Sequence, residues 1–161
     1  MKPDISNPIQ IEEALSKEAL EQITALLWSY GESRNFDSAL GNFTQEISLL
    51  PYRYARPDGC LLLATYKGEK AGCVAYQQLS PEICEMKRLY VDPLFRGKGL
   101  GKALVNRICL EAKKGGYQKM RLDTFGYYKA AINSYLKAGF YEIAPYQKYD
   151  MENVLFFEKL L

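Results

Sequence analysis

A chain of 161 residues, 48% hydrophobic and 25% charged, can bury one core but is too short for two ordinary domains, so a single domain over 1–161 is expected. It has no histidine, which excludes Ser-His-Asp triads, Cys-His dyads and His-ligated metal sites. The net charge of +2 hides a division, with five Lys and Arg against nine Asp and Glu over 1–60 and sixteen against ten over 61–161.

The steepest stretch is 86–121, where ten basic residues face only Asp92 and Glu111. Such a field suits a polyanionic partner, either a phosphate-bearing cofactor or nucleic acid. Cys60, Cys73, Cys84 and Cys109 are scattered and form no C-x-x-C pair, which argues against a disulfide framework or a zinc site. No apolar run approaches the roughly 20 residues of a membrane span, and Met1 to Gln10 lacks a signal-peptide apolar core. The cytoplasm is therefore the expected location.

In chain order, a short strand is expected near Ile9 to Ile11. Ser16 is placed to N-cap a helix whose stripe is Leu20, Ile23, Leu27 and Tyr30, ending near Gly31. A second helix is expected over Thr44 to Leu50, stopped by Pro51, followed by a loop to Gly59. Cys60–Tyr66, Ala71–Gln78 and Ile83–Val91 alternate with short turns and predict an antiparallel meander. Asp92-Pro93 ends the third strand. Leu100, Ala103, Leu104, Ile108 and Ala112 mark a helix that stops at Gly115-Gly116. A strand over Lys119–Thr124 follows, then a helix from about Lys129 with Gly139 as its C′ glycine, and strands at Phe140–Ile143 and Val154–Leu160. The strand, helix, strand unit from Ile83 to Thr124 requires a right-handed parallel crossover. The expected fold is α/β: a mixed, mostly antiparallel sheet of six to seven strands with helices on both faces.

Arg96-Gly97-Lys98-Gly99-Leu100-Gly101 lies between a strand and a helix. Glycines permit positive φ and close backbone approach, so successive N–H groups can converge on an anion. The helix N-terminus adds free donors and a partial positive charge, and Arg96, Lys98 and Lys102 add full charges. The expectation is a pyrophosphate cradle. A P-loop is ruled out by Arg96 five residues before Gly101 and by Ala103 after Lys102. A dinucleotide fingerprint fails at Lys102, although Asp123 falls near the position of a ribose-binding acid.

The R-x-x-G-x-G run after C-E-M-K-R-L-Y-V-D-P, with the later I-N-S-Y-L-K-A-G-F, resembles two successive motifs of the GCN5-related N-acetyltransferases, the GNAT family. Together the motifs span Cys84 to Phe140. The resemblance implies the acyl-CoA N-acyltransferase fold, with Ile83–Val91 and Lys119–Thr124 splayed apart in mid-sheet to admit the pantetheine arm of acetyl-CoA. Leu89, Tyr90 and Val91 would meet pantetheine through their backbone, where a bulge frees ladder groups. Arg96, Gly97, Lys98, Gly99, Leu100, Gly101 and Lys102 would hold the pyrophosphate. Many members carry asparagine seven residues before the motif tyrosine; position 128 is Tyr here, and Lys129 beside it is expected to take over part of that contact.

By the same resemblance, Tyr135 protonates the departing thiolate and Glu85 acts as base toward the amine, directly or through water. Cys84 lies on the strand face opposite Glu85, and neither it nor Cys109 has an activating histidine, so direct transfer in a ternary complex is expected over a cysteine nucleophile. Trp28, Tyr30, Tyr52, Tyr54, Tyr146 and Tyr149 are the aromatic residues expected around the acceptor. The acidic N-terminal part points to a small cationic amine. The alternatives are a non-catalytic CoA-binding regulatory module on the same fold and nucleic-acid binding through 86–121, for which no recognition motif is present. The expected partners are acetyl-CoA and an amine, with no nucleic acid or membrane; a homodimer is compatible.

Overall fold

The computed structural model describes residues 6–34 and 41–161. The strands are β1 (Ile9–Glu13), β2 (Cys60–Tyr66), β3 (Glu69–Ser80), β4 (Ile83–Val91), β5 (Lys119–Phe125), β6 (Tyr141–Ile143) and β7 (Val154–Leu160). The helices are α1 (Lys17–Ser33), α2 (Gly41–Ser48), α3 (Leu100–Lys114) and α4 (Lys129–Lys137). One open seven-stranded sheet runs in the order β1-β2-β3-β4-β5-β7-β6. The β1–β4 pairs are antiparallel, β4 and β5 are parallel across the α3 crossover, and β7 returns antiparallel between β5 and β6.

The helices divide between the two faces, as their apolar stripes require. Ile23, Leu26 and Leu27 of α1 and Phe43 and Ile47 of α2 pack with Leu61, Leu63, Cys73, Ala75 and Tyr90. On the opposite face, Leu100, Leu104 and Ile108 of α3 and Tyr135 of α4 pack with Leu62, Val74, Met86, Met120 and Leu122. Strand β2 is covered on both faces, which is why its sequence is a continuous apolar run with no alternation.

Local signals set most boundaries. Ser16 Oγ accepts the Ala19 N–H at 3.1 Å and caps α1. Gly139 takes φ +98° after α4, and the Phe140 N–H returns to Tyr135 O at 3.0 Å. That bond occupies Phe140 in the helix stop, so β6 begins at Tyr141 and not at Phe140. Strand β1 runs on to Glu13 and β3 covers more than Ala71–Gln78, because both are paired along β2 beyond their apolar segments. Helix α2 starts before Thr44 and stops at Ser48. The segment expected as loop carries a 3₁₀ turn over Tyr52–Tyr54 with Tyr54 fully buried, its hydroxyl donating to Glu46 at 2.9 Å.

Candidate active site

The parallel pair at mid-sheet is short. Strands β4 and β5 are in register only at Ile83 with Lys119, Cys84 with Met120, and Glu85 with Arg121. From Met86 onward the β5-facing edge of β4 has no strand partner, and the facing edge of β5 from Leu122 is equally open. The splay expected between these strands is present, and two cavities occupy it.

The bend that opens the splay lies at Arg88. The register to β3 passes from Ala75 opposite Lys87 to Cys73 opposite Tyr90, so β4 carries one extra residue. Arg88 has φ +61°, a conformation costing a non-glycine residue about 1 kcal/mol or more. Contacts of both its side chain and its carbonyl hold it. Its guanidinium donates to Glu46 at 2.8 and 3.0 Å, lies 5.0 Å from the Phe43 ring centroid, and its carbonyl accepts from Cys73 Sγ. The bulge also reverses side-chain parity. Glu85 and Lys87 share a face with α1, and beyond the bulge Tyr90 takes that face while Leu89 and Val91 turn to the α3 side.

The larger cavity, about 800 Å³, is a groove running from Leu89, Tyr90 and Val91 past Arg96, Gly97, Gly99, Leu100 and Gly101 to Tyr127, Tyr128 and Lys129. Gly97 and Gly99 have φ +77° and +87°, and a Cβ on either would project into open space. Gly99 is the N-cap of α3 and no side chain caps the helix. The first N–H groups of α3 are thus donors without an intrahelical acceptor, at the positive end of its dipole. The chemistry of this end suits a phosphate. Not every expected residue is in the wall, however. Lys98 is directed over the Tyr66 ring at 5.2 Å and Lys102 is exposed on α3 outside the groove, whereas Arg96 is in the wall, its Nε donating to Val91 O at 3.2 Å.

The smaller cavity, about 180 Å³, lies within the splay between Lys87, Arg88 and Leu89 of β4 and Asp123, Thr124 and Phe125 of β5, and reaches from Tyr30 on the α1 side to Tyr135 on the α3 side. Tyr30, Tyr135 and Tyr149 complete its wall with Arg34, whose guanidinium sits 3.8 Å from the Tyr128 ring centroid and borders both cavities. Tyr135 is 8% exposed and packs against Phe140 and Phe157. Burial pushes its phenol up, with Tyr30 adding to the rise and Arg34 opposing it, so it is a proton donor throughout the neutral range.

Glu85 is 1% exposed and lies behind the smaller cavity. Its carboxylate accepts from Gln77 Nε2 at 3.0 Å, Tyr146 OH at 2.6 Å and Gln147 Nε2 at 3.2 Å, with Lys87 Nζ at 3.6 Å. Burial, then Glu85, pushes the Tyr146 phenol up. Of the six aromatic residues expected around an acceptor, Tyr30 and Tyr149 line the cavity and Tyr146 holds Glu85. Trp28, Tyr52 and Tyr54 stand outside the wall, Tyr54 because it is locked behind Glu46. Cys84 faces the α3 side, opposite Glu85, and all four cysteines are buried. Burial pushes the Cys60, Cys73 and Cys84 thiols up to about 12. Arg34 carried no motif, Arg88 stood in the C-E-M-K-R-L-Y-V-D-P run with no role assigned to it, and Asp123 stood only near the position of a ribose-binding acid; the polar alternation of Arg121 and Asp123 in β5 is the signal that both share one face.

A mixed sheet with a splayed parallel pair and a glycine-turned helix N-terminus at its mouth defines the acyl-CoA N-acyltransferase fold. An acetyltransferase from Streptococcus agalactiae superposes with a TM-score of 0.78 at 20% identity, over 96% of this chain and 99% of its own. The PaiA N-acetyltransferase of Thermoplasma acidophilum, solved with coenzyme A, superposes at 0.72 and 20% identity, over 95% and 99%. An uncharacterised N-acetyltransferase of Schizosaccharomyces pombe is 35% identical across 97% of this chain and 95% of its own length. The model of the acetyltransferase (GNAT) family matches residues 20–140, and the chain belongs to that family.

Proposed function

We propose that the protein transfers the acetyl group of acetyl-CoA directly to the primary amine of a small cationic acceptor. The observation that carries this reading is the parting of β4 and β5 beyond Glu85 and Arg121, with an uncapped helix N-terminus at one end of the opening and Tyr135 in its wall. The relative solved with coenzyme A shares this fold. Phosphate binds at the Gly97–Gly101 turn, Leu89 to Val91 offer backbone partners to the pantetheine amides and the thioester carbonyl, and Lys129 borders the far end of the groove.

Acetyl-CoA supplies an activated acyl group, and this chain's residues align it and move protons. Tyr135 donates to the sulfur as the C–S bond breaks, offsetting charge that develops on the leaving group. An alkyl ammonium titrates near ~10, so the acceptor must lose a proton before attack. Glu85 is the sink, reached through the Tyr146 hydroxyl, which passes its own proton to the carboxylate as it takes the amine's; three donors and Lys87 close the carboxylate to direct contact. Buried thiols without a base favour direct transfer over an acetyl-cysteine route. On this reading the enzyme works in the cytoplasm, and within 86–121 it is Arg96 that lines the phosphate groove, while Lys87, Arg88, Arg107 and Arg121 are paired with carboxylates of the chain.

The test is calorimetric titration with acetyl-CoA, followed by free-thiol release across alkylamines, polyamines, amino acids, aminoglycosides and peptide N-termini. Saturable binding with thiol release for one amine class is expected. Binding without turnover on any amine would leave a CoA-binding regulatory module, and absence of binding would end the proposal.

A further inference from the structure

The carboxylates on the α1 face of the splay are not equivalent. Glu46 is paired with Arg88 at 2.8 Å, Glu158 with Arg121 at 2.8 Å, and Glu85 with Lys87 at 3.6 Å. Asp123 stands in the wall of the smaller cavity, and among the described residues no Lys or Arg lies within ion-pair distance of it. Its nearest basic neighbour along β5, Arg121, is already committed to Glu158.

Among the described residues, the one hydrogen bond to the Asp123 carboxylate leaves a donor missing. Tyr149 OH lies 2.8 Å from Asp123 Oδ2 and 2.7 Å from Gln147 Oε1. A phenol has a single hydrogen and can donate to only one of these acceptors. Turning the Gln147 amide over would not help, because its nitrogen donates to Glu85 at 3.2 Å and its oxygen would then face a carboxylate. The cavity wall, which Arg34, Lys87 and Arg88 also line, therefore holds an acceptor group short of one donor and in ion-pair contact with none of these cations, at the point where β5 parts from β4 and within the same cavity as Tyr135. Partly buried charged hydrogen bonds of this kind are among the strong ones.

We propose that Asp123 seats the ammonium group of the acceptor, with Tyr149 donating to Gln147 once the ammonium takes the Asp123 oxygen. This rests on the acetyl-CoA reading above and adds the acceptor's chemical class at a named residue: a primary ammonium presented to one carboxylate.

S-aminoethyl-coenzyme A, which carries an ammonium just beyond the sulfur, and its neutral counterpart S-propyl-coenzyme A test the seat without a known acceptor. Calorimetry on the wild-type protein should give tighter binding of the ammonium probe by about tenfold or more, the worth of one charged hydrogen bond. Asp123→Asn and Asp123→Ser should erase that preference while keeping S-propyl-coenzyme A affinity. Asp123→Glu should retain part of it, and Glu85→Gln should leave it intact. Equal binding of the two probes by the wild type, a preference surviving both neutral variants, or one lost in Glu85→Gln alone would overturn the proposal. So would loss of S-propyl-coenzyme A binding in both neutral variants, which would make Asp123 structural. Failure of the wild type to bind either probe or acetyl-CoA would instead remove the cofactor reading beneath it.

Discussion

Glu85 and Arg121 are the last residues that β4 and β5 hold opposite one another, and their side chains are drawn to different partners. Arg121 turns across the sheet to Glu158 on β7, while Glu85 is held by Gln77 on β3 and by Tyr146 and Gln147 on the β6–β7 connection. The pair thus marks the vertex of the splay and separates a buried, fully bonded carboxylate from the open cavity that begins at Asp123.

On the proposed mechanism the Tyr135 hydroxyl acts only on the leaving group. Tyr135→Phe should lower kcat by about a hundredfold, a typical cost for a lost general acid, with acetyl-CoA affinity within a factor of about two. The phenol is raised by burial, so the wild type should show no loss of rate from its ionisation on the alkaline side of neutrality. Thiol-release kinetics on the best amine, with calorimetry of the cofactor, decide this; an unchanged kcat would reassign the acid.

The bulge at Arg88 depends on Glu46. Removing one member of a buried ion pair leaves the other uncompensated, typically at about 3–5 kcal/mol. Glu46→Ala should lower stability by about 3 kcal/mol in urea unfolding and raise KM for the amine, because Arg88 lines the cavity proposed to take the acceptor. A loss below about 1 kcal/mol would mean the bulge is held by other contacts.

At Gly99 the backbone conformation itself matters. A Cβ there would meet nothing, so Gly99→Ala carries only the left-handed strain, about 1–2 kcal/mol. Thermal unfolding should show that loss in the free protein. Coenzyme A affinity should fall several-fold as the turn relaxes and its amides rotate off the groove. Stability and affinity both unchanged would count against the cradle.

Acid should loosen the tie among β1, the 51–59 segment and α3. Arg56 bridges Glu13 at 2.7 Å and Glu111 at 2.8 Å, and Arg107 bonds Glu111 at 3.0 Å. Burial works to raise the Glu111 carboxyl, but the bonds from Arg107 and Arg56 outweigh it and hold it below the usual 4.5. A depressed folded value means the stabilisation is complete above the unfolded carboxyl's pKa and fades as pH falls through the folded one. Urea midpoints measured downward from pH 6 should therefore decline below about pH 4.5, and Glu111→Gln should flatten that decline. Parallel curves for the two proteins would contradict the assignment.

The thiols should be silent in the native protein. With Cys60, Cys73 and Cys84 pushed by burial to about 12, a thiol-specific disulfide reagent at pH 8 should titrate no cysteine until urea is added, and Cys84→Ala should keep its turnover. Stoichiometric native labelling with loss of activity would revive a covalent route.

Much of the molecule was legible along the chain because the signals are local. The Ser16 cap, the breaks at Asp92-Pro93 and Gly139, and the glycine turn at Gly97–Gly101 each depend on residues a few positions apart, and all lie where the sequence predicts them. Parity along β4 was not legible beyond Lys87. Strict alternation would turn Leu89 and Val91 toward α1, and the extra residue at Arg88 sends them the other way.

Local backbone chemistry, namely the free amides and allowed φ values of the cofactor turn, was therefore determined by the sequence itself, down to the residues. Tertiary structure decided the side of the splay proposed to take the acceptor. Arg88 is held by Glu46 from α2, Glu85 is sealed by Tyr146 and Gln147 from the far end of the chain, and Asp123 has no ion-pair partner among the described residues while Arg121, beside it on β5, pairs with Glu158 on β7. Each of these outcomes is a competition among charged groups distant in sequence for the same few partners, and only the packed sheet brings the competitors within reach.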